Sequence, residues 1–232
     1  IFKDIESVEK RISRLVKVVR SGDKAAKFHM GVAEKMKDLL EEGNLVGSHE
    51  WSETEWESVQ EAQLITSKPV LFVCNVDEDG LDEDNEFVKA VRSHADQLGS
   101  GVVKVCAQAE AELSELEAEE RVEFLQDLGI DEPGLDKLAR ATYALLGLQT
   151  YFTAGEKEIR AWTIKEGFKA PQAAGVIHTD FERGFIKAEV YTIPDLVNIG
   201  SEKGLKEAGK LRIEGKEYIV KDGDVMHFRF NV

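Results

Sequence analysis

The residues best suited to chemistry lie in a short polar loop that follows an apolar segment. Residues 69–74 form a continuous apolar run, as expected of a strand buried on both faces of a parallel sheet. Asn75-Val76-Asp77-Glu78 comes next, and open α/β sheets bind ligands at the carboxyl ends of their strands. An asparagine there can present both an amide donor and an acceptor to a purine edge. The pattern is compatible with a base-binding loop, but an acidic loop after a strand is more often a solvated turn.

A second candidate loop, Cys106-Ala107-Gln108, follows the next apolar run at residues 101–106. If the two strands are neighbours, this loop lies where such folds place a second base-contacting segment, and Cys74 and Cys106 could be close together. A buried free cysteine also behaves as a small hydrophobic residue, so that simpler role stays open for Cys106.

The first loop resembles the base-recognition loop of GTPases, which usually reads Asn-Lys-x-Asp. Here Val76 replaces the lysine and Glu78 replaces the aspartate. The aspartate of the usual loop accepts two hydrogen bonds from guanine, and a longer glutamate would misplace that acceptor. We therefore expect an altered choice of base.

Catalytic and metal-ligating residues are not evident in the sequence. Residues 204–211 have the glycine and lysine spacing of a phosphate loop, but Leu211 stands where a magnesium-binding Ser or Thr is needed, and no buried strand precedes the segment. The five histidines show no paired metal-ligand spacing, and His178 is the one that stands in a dense polar and aromatic run. For His178 we favour core packing or a hydrogen-bonded turn.

A basic helical arm is predicted at the start of the chain. Apolar residues recur every three or four positions in two segments, separated by Ser21-Gly22-Asp23. The predicted seam positions are Ile5, Val8, Ile12, Leu15 and Val19 in the first helix, and Ala25, Phe28, Val32, Met36 and Leu39 in the second. Basic residues away from this seam are candidate RNA contacts: Arg11, Arg14, Lys17 and Lys24. The alternative is an ordinary solvated helix face.

Composition limits the class of protein. A chain of 232 residues predicts one or two domains at about 150 residues each, and 42% hydrophobic residues can form a core. No apolar run approaches the roughly 18 residues of a membrane helix, so no membrane association is predicted. Two cysteines fit a reducing cytoplasm. Because the chain begins with Ile1 in helix-like sequence, we expect the natural N-terminus to lie upstream.

The net charge of −15 is unevenly distributed. Residues 1–47 hold 10 basic and 8 acidic residues, residues 48–147 hold 7 and 24, and residues 148–232 hold 13 of each. These three regimes predict three structural units. The overall acidity therefore does not exclude a partner that carries RNA.

The remaining patterns predict an α/β unit followed by an α+β unit. A third helix at residues 52–66 begins with a capping box formed by Ser52 and Glu55. Strands at 69–74 and 101–106 alternate with helices at 82–98, 117–128 and 134–146. Two strands are too few for an open sheet, so we expect its other strands upstream of residue 1. Beyond residue 147, a hairpin around Ala154-Gly155-Glu156 and a helix near 171–178 precede short strands at 185–192, 211–213, 218–220 and 225–230. This pattern is typical of a small ubiquitin-like half-barrel.

Several long segments resemble the YchF family of Obg-like ATPases. Residues 149–155 and 160–164 are similar to the opening of its TGS domain, residues 170–186 to its most specific stretch, and residues 218–225 to its ending. Residues 68–78 resemble its altered base loop, and residues 21–24 its helical arm. The resemblance covers essentially the whole chain.

The resemblance implies a fold in three parts: a helical coiled-coil arm (residues 1–66), the C-terminal remnant of a GTPase-like parallel-sheet domain (67–147) and a ubiquitin-like, β-grasp TGS domain (148–232). It also implies a ribosome-associated protein that hydrolyses ATP in preference to GTP. Asn75 would contact adenine, Val76 would line the base pocket, Glu78 would replace the guanine-reading aspartate, and Cys106 and Ala107 would lie on the far side. The ribosomal partner would be large-subunit RNA or protein.

The family's phosphate loop, switch regions and magnesium ligands precede the arm, and this sequence has none of them. We therefore expect the parent protein to bind ATP and Mg²⁺, and this chain alone to be inactive and to bind neither tightly. The alternative is a non-enzymatic module that docks on RNA or the ribosome.

Overall fold

The computed structural model describes residues 1–155 and 158–231, whose contacts form two compact units, Ile1–Lys137 and Leu138–Val232. The helices of the first unit are α1 (Phe2–Val19), α2 (Lys24–Glu41), α3 (Glu53–Glu61), α4 (Glu86–Gln97), α5 (Ala107–Glu115) and α6 (Ala118–Asp127), with a 3-10 turn at Val46–Ser48 and strands β1 (Leu71–Asn75) and β2 (Gly101–Val105). Helix α7 (Gly134–Leu145) spans the boundary between the units. The predicted domain bounds stay predictions.

The second unit continues with strands β3 (Leu148–Ala154), β4 (Ile159–Lys165), β5 (Phe185–Thr192), β6 (Arg212–Glu214) and β7 (Asp224–Phe230) and helices α8 (Ala170–Ile177), α9 (Thr179–Arg183), α10 (Ile193–Ile199) and α11 (Glu202–Glu207).

The chain opens with a helical hairpin, α1 followed by α2. The Asp23 side chain caps α2 by accepting hydrogen bonds from the backbone N–H groups of Ala25 and Ala26. The buried core of this hairpin and its neighbours contains Val8, Val32, Ala33, Met36, Leu40, Val46, Val59 and Leu64.

The predicted seam of α2 is wrong at its first two positions. Ala25 is exposed and Phe28 is 43% exposed, whereas Ala26 is buried. The sequence could not show which of the two successive alanines faces the core, because both are equally apolar. Since Ala26 faces the core, the helical period places Phe28 on the exposed side of α2.

A buried carboxylate fastens the base of the hairpin. Asp4, in the first turn of α1, is 3% exposed and accepts hydrogen bonds from the N–H groups of Ile65 (3.1 Å) and Thr66 (2.7 Å). Burial alone would raise the pKa of Asp4, but these backbone hydrogen bonds outweigh it and lower that pKa. The start of α1 is thus tied to the segment that leads into β1.

The capping box of Ser52 and Glu55 is present at the start of α3, as predicted. The helix ends at Glu61, before the predicted residue 66, because Gln63 takes a positive φ of 50° that no helix can continue. The residues that lie beyond the end of the helix include Ile65 and Thr66, whose backbone N–H groups donate to Asp4.

Strands β1 and β2 pair in parallel, with Asn75 opposite Val105. Helix α4 packs against both strands. The expectation that β1 is buried on both faces is wrong for this chain, since Val73 is 47% exposed. A two-stranded sheet covered by helices on one side leaves the other side open.

The second unit is built on a five-stranded mixed sheet with strand order β4-β3-β7-β5-β6. Strands β3 and β7 are parallel, whereas the β3–β4, β5–β7 and β5–β6 pairs are antiparallel. Helix α8 packs against β4 and β5, over a core that includes Tyr151, Val190 and Met226.

Two details of the second unit differ from the sequence predictions. Residues 218–220 do not form a strand, because only an isolated bridge joins Lys169 to Ile219. Three short helices between residues 179 and 207 were not predicted, since each is shorter than the window that reveals a helical period. The predicted turn at residues 154–156 lies partly outside the described residues.

We predict that Asp4→Asn lowers the free energy of unfolding by about 1–3 kcal/mol, because two backbone N–H groups would face a side chain with only one acceptor oxygen. Urea unfolding at pH 7 measures the change. Asp38→Asn is the control, since Asp38 is an exposed aspartate of α2.

The same pair of variants tests the charge of Asp4. Its native pKa lies below the unfolded value, so its stabilisation is fully present above the unfolded pKa of about 3.9 and is lost as pH falls through the native pKa. The difference between wild type and Asp4→Asn should therefore shrink below about pH 4. If the difference in stability between wild type and Asp4→Asn were constant between pH 3 and 7, the ionised carboxylate of Asp4 would not be what stabilises the fold.

Candidate base-recognition site

The carboxyl ends of β1 and β2 meet through two hydrogen bonds. Asn75 Oδ1 accepts from the N–H group of Ala107 at 3.0 Å, and the N–H group of Val76 donates to the carbonyl oxygen of Val105 at 2.9 Å. Both bonds lie where parallel strands present their ligand-binding edge. The structure thus brings together Asn75, Val76 and Ala107, which the sequence placed on two separate loops.

The bond to Ala107 fixes the orientation of the Asn75 amide. Only the oxygen of an asparagine side chain can face an N–H donor, so the Asn75 amide nitrogen is directed away from Ala107. The bond engages one lone pair of the Asn75 oxygen and leaves the amide nitrogen available as a donor. The contact of Asn75 with a base stays a prediction.

The second candidate loop is the start of a helix. Ala107 is the first residue of α5 and Cys106 is its N-cap, with no side-chain cap hydrogen bond. The first N–H groups of a helix have no partner inside the helix, and Asn75 supplies one from the neighbouring strand. Cys106 is 3% exposed, which fits the small hydrophobic role left open for it.

Residues 76–80 form a tight turn after β1. Asp77 Oδ1 accepts a hydrogen bond from the Gly80 N–H group at 3.0 Å, whereas Val76 is half-buried and Glu78 is exposed. Sequence reasoning gave Asp77 no role, although aspartate side chains often form turns by accepting a hydrogen bond from a backbone N–H group a few residues further on. Asp77 shapes the loop, and Glu78 leaves its carboxylate in solvent.

An ion pair borders this loop on the α4 side. The Arg92 guanidinium binds Asp84, and hydrogen bonds from Arg92 and then Lys104 lower the pKa of Asp84 to about 2. Asp84 is therefore ionised throughout the physiological pH range.

The candidate RNA contacts of the arm divide into two groups. Within residues 1–155 and 158–231, Arg14, Lys17 and Lys24 are exposed and form no ion pair. Arg11 is different, because it pairs with Glu61 of α3 at 2.9 Å and its side chain is only 24% exposed. All four residues stay predictions.

The other singled-out residues have structural environments. His178 Nδ1 accepts a hydrogen bond from the Asp180 N–H group at 3.2 Å, which makes His178 the cap of α9. Gly204 lies inside α11, so the phosphate-loop spacing of residues 204–211 begins within a helix.

In the described part of the chain, no group of three metal-ligating side chains could hold an ion. No described helix combines the length and apolarity needed to span a bilayer.

Comparison with known proteins gives consistent matches. The family model YchF-GTPase_C, described as a protein of unknown function (DUF933), matches residues 148–231. The chain is 53% identical over 229 residues to a protein of Haemophilus influenzae named ribosome-binding ATPase YchF, covering 99% of this chain and 63% of that protein. A Bacillus subtilis protein of the same name is 51% identical over 234 residues, covering 100% of this chain and 64% of that protein.

A solved structure supports the same assignment. The Schizosaccharomyces pombe YchF GTPase is 34% identical, with a TM-score of 0.82, and the match covers 98% of this chain and 62% of that one. The mixed α/β fold with its parallel strand pair therefore resembles a YchF GTPase. The chain spans just under two thirds of the length of the curated relatives it matches.

We predict that Asn75→Ala speeds hydrogen exchange of the Ala107 amide and lowers the free energy of unfolding by about 1 kcal/mol, since the helix loses its cap. Asn75→Asp keeps an acceptor oxygen and should leave both nearly unchanged. Amide exchange by NMR and urea unfolding measure the two effects. Equal exchange of Ala107 in wild type and Asn75→Ala would show that the bond is not formed in solution.

Proposed function

Because the chain belongs to the YchF family, we propose that it is the base-recognition and ribosome-contacting part of a ribosome-binding ATPase that prefers ATP to GTP. The observation that carries the proposal is the hydrogen bond from Ala107 to Asn75, which joins the two candidate base loops. The names of the relatives support the ribosomal and ATPase parts.

The proposal assigns one role to each segment. Residues 1–66 are the coiled-coil arm, residues 67–147 a portion of the GTPase-like domain and residues 148–232 the TGS domain. The mixed sheet with β3 and β7 parallel at its middle, and α8 packed on it, supports a β-grasp fold for the last segment. The phosphate-binding and Mg²⁺-binding residues would lie in the part of the relatives' length that this chain does not span.

Base choice follows from the polarity of two side chains. The Asn75 amide nitrogen offers a donor to a ring nitrogen acceptor, which adenine and guanine share, so Asn75 favours purines in general. Adenine carries an amino donor at position 6, whereas guanine carries a carbonyl acceptor there. The Glu78 carboxylate can accept a hydrogen bond from the 6-amino group of adenine but not from the 6-carbonyl oxygen of guanine. Because Glu78 is longer than the aspartate of the usual loop, its acceptor is also displaced from the guanine donors that this aspartate reads, so Glu78 favours adenine.

In the full-length protein, we predict that Glu78→Gln lowers the ratio of ATP to GTP affinity about tenfold, because a glutamine amide can also donate to guanine. Asn75→Asp should weaken the binding of both ATP and GTP at least tenfold, since the new carboxylate cannot donate a hydrogen bond. Fluorescence titration with labelled nucleotides measures both dissociation constants.

Glu83→Gln is the matched control, since Glu83 is an exposed glutamate of the same segment and should leave the ratio unchanged. The 232-residue chain alone should show no saturable ATP binding at micromolar concentrations by calorimetry. Tight binding by this chain would refute the location of the phosphate site, and a full-length protein that prefers GTP would refute the base assignment.

Ribosome contact is expected at the exposed basic residues of the arm. We predict that the combined reversal Arg14→Glu, Lys17→Glu and Lys24→Glu weakens co-sedimentation with ribosomes and makes it less dependent on salt, because fewer phosphate charges are neutralised. Arg11 is left out of this set because its reversal would break the pair with Glu61.

The control for these reversals is Lys89→Glu, an exposed lysine of α4. Lys89→Glu should leave co-sedimentation unchanged. Each single reversal in the arm should weaken co-sedimentation more than Lys89→Glu does. Salt-independent binding, or equal effects of Lys89→Glu and the arm reversals, would contradict a phosphate-contacting arm. Ribosome binding without nucleotide binding in the full-length protein would favour the non-enzymatic docking module.

A further inference from the structure

One lysine of β2 contacts the whole far end of the base-recognition loop, which we define as residues 76–84. Lys104 Nζ donates to the carbonyl oxygens of Gly80 (3.0 Å) and Asp82 (3.3 Å) and lies 3.0 Å from the Asp84 carboxylate. The Lys104 side chain is 13% exposed. An ammonium group has three donors, and these three contacts can use all of them.

The partner carboxylate is itself held in place. Asp84 also binds Arg92 of α4, a helix that packs on β1 and β2. The segment after the loop is therefore attached to both the sheet and its covering helix. The Arg92 side chain is 42% exposed, but an ion pair shared by three charged groups is worth more than an isolated surface pair.

The near end of the loop is equally constrained. Val76 N–H donates to Val105, the residue after Lys104, and Asp77 accepts from Gly80. Gly80 is buried, and a Cβ there would lie 2.8 Å from the Val76 Cβ. Residues 76–80 thus fold back tightly, and Lys104 binds the carbonyl oxygen at which this turn ends.

We propose that Lys104 is a positioning residue that sets the ratio of ATP to GTP affinity by holding the base-recognition loop in one conformation. The inference rests on the proposed function, in which Val76 and Glu78 of this loop read the base. A loop that is ordered before binding loses less conformational entropy when the base arrives, and its acceptor stays where only one base can match it. A loosened loop lets Glu78 move away from guanine.

The first arm of the test uses this chain without nucleotide. Lys104→Met keeps the length of the side chain but removes its three donors, and we expect amide hydrogen exchange of the peptide covering residues 76–84 to become about tenfold faster. Lys89→Met, an exposed lysine of α4, is the matched control and should not change exchange in this peptide. Unchanged exchange in Lys104→Met would overturn the proposal.

The second arm measures ATP and GTP dissociation constants in the full-length protein. Lys104→Met should lower the ratio of ATP to GTP affinity about tenfold, and Lys104→Arg, which keeps charge and donors, should restore most of it. Asp4→Asn, a destabilising change outside the loop, should leave the ratio unchanged, which separates positioning from general stability. A loosened loop with an unaltered ratio would overturn the positioning role.

The two arms distinguish the failure of this inference from the failure of the proposed function. If the wild-type full-length protein binds neither nucleotide, the proposed function and the positioning role both fail, although the exchange arm still reports whether Lys104 holds the loop. If the wild type prefers ATP and Lys104→Met does so equally, only the positioning role fails.

Discussion

Parallel pairing of β1 with β2, in a register that sets Asn75 opposite Val105, is the constraint on which the candidate site depends. It brings the end of one strand within hydrogen-bond distance of a helix that begins after the other, so that Asn75 can cap α5. It also places Lys104 beside the loop that leaves β1. A shift of one residue would turn the side chains of the shifted strand to the opposite face of the sheet, so Asn75 and Lys104 could not both keep these contacts.

The arm depends on a different kind of contact. Asp4 joins residues that are more than 60 positions apart in sequence, and it does so as a buried anion satisfied by backbone donors. Ion pairs such as those of Arg11 with Glu61 and Lys35 with Glu55 also link the hairpin to α3, but partly exposed pairs contribute little individually. The buried Asp4 carboxylate therefore does more than these ion pairs to hold the first turn of α1 in place.

The second unit also contains a buried aspartate that accepts several hydrogen bonds. Asp224 is 2% exposed and accepts hydrogen bonds from Tyr218 Oη at 2.7 Å and from the Lys221 N–H group at 2.9 Å, with Arg212 at 3.4 Å. Burial, and then the bond to Asp224, raise the pKa of Tyr218 to about 12, so its hydroxyl stays a donor. The sequence did not reveal that Asp224 is a buried residue with three hydrogen-bond partners.

The sequence by itself determined the kinds and order of most elements, the capping box at Ser52 and the similarity to the YchF family, because these depend on local periodicity and on long contiguous motifs. It also identified Asn75 as a base-contacting candidate. Only the tertiary structure decided that the Asn75 oxygen is engaged by Ala107, that Arg11 is paired with Glu61 and that Lys104 holds the loop. Each of these contacts joins residues 20 to 60 positions apart, and no local pattern specifies which distant group a polar side chain will meet.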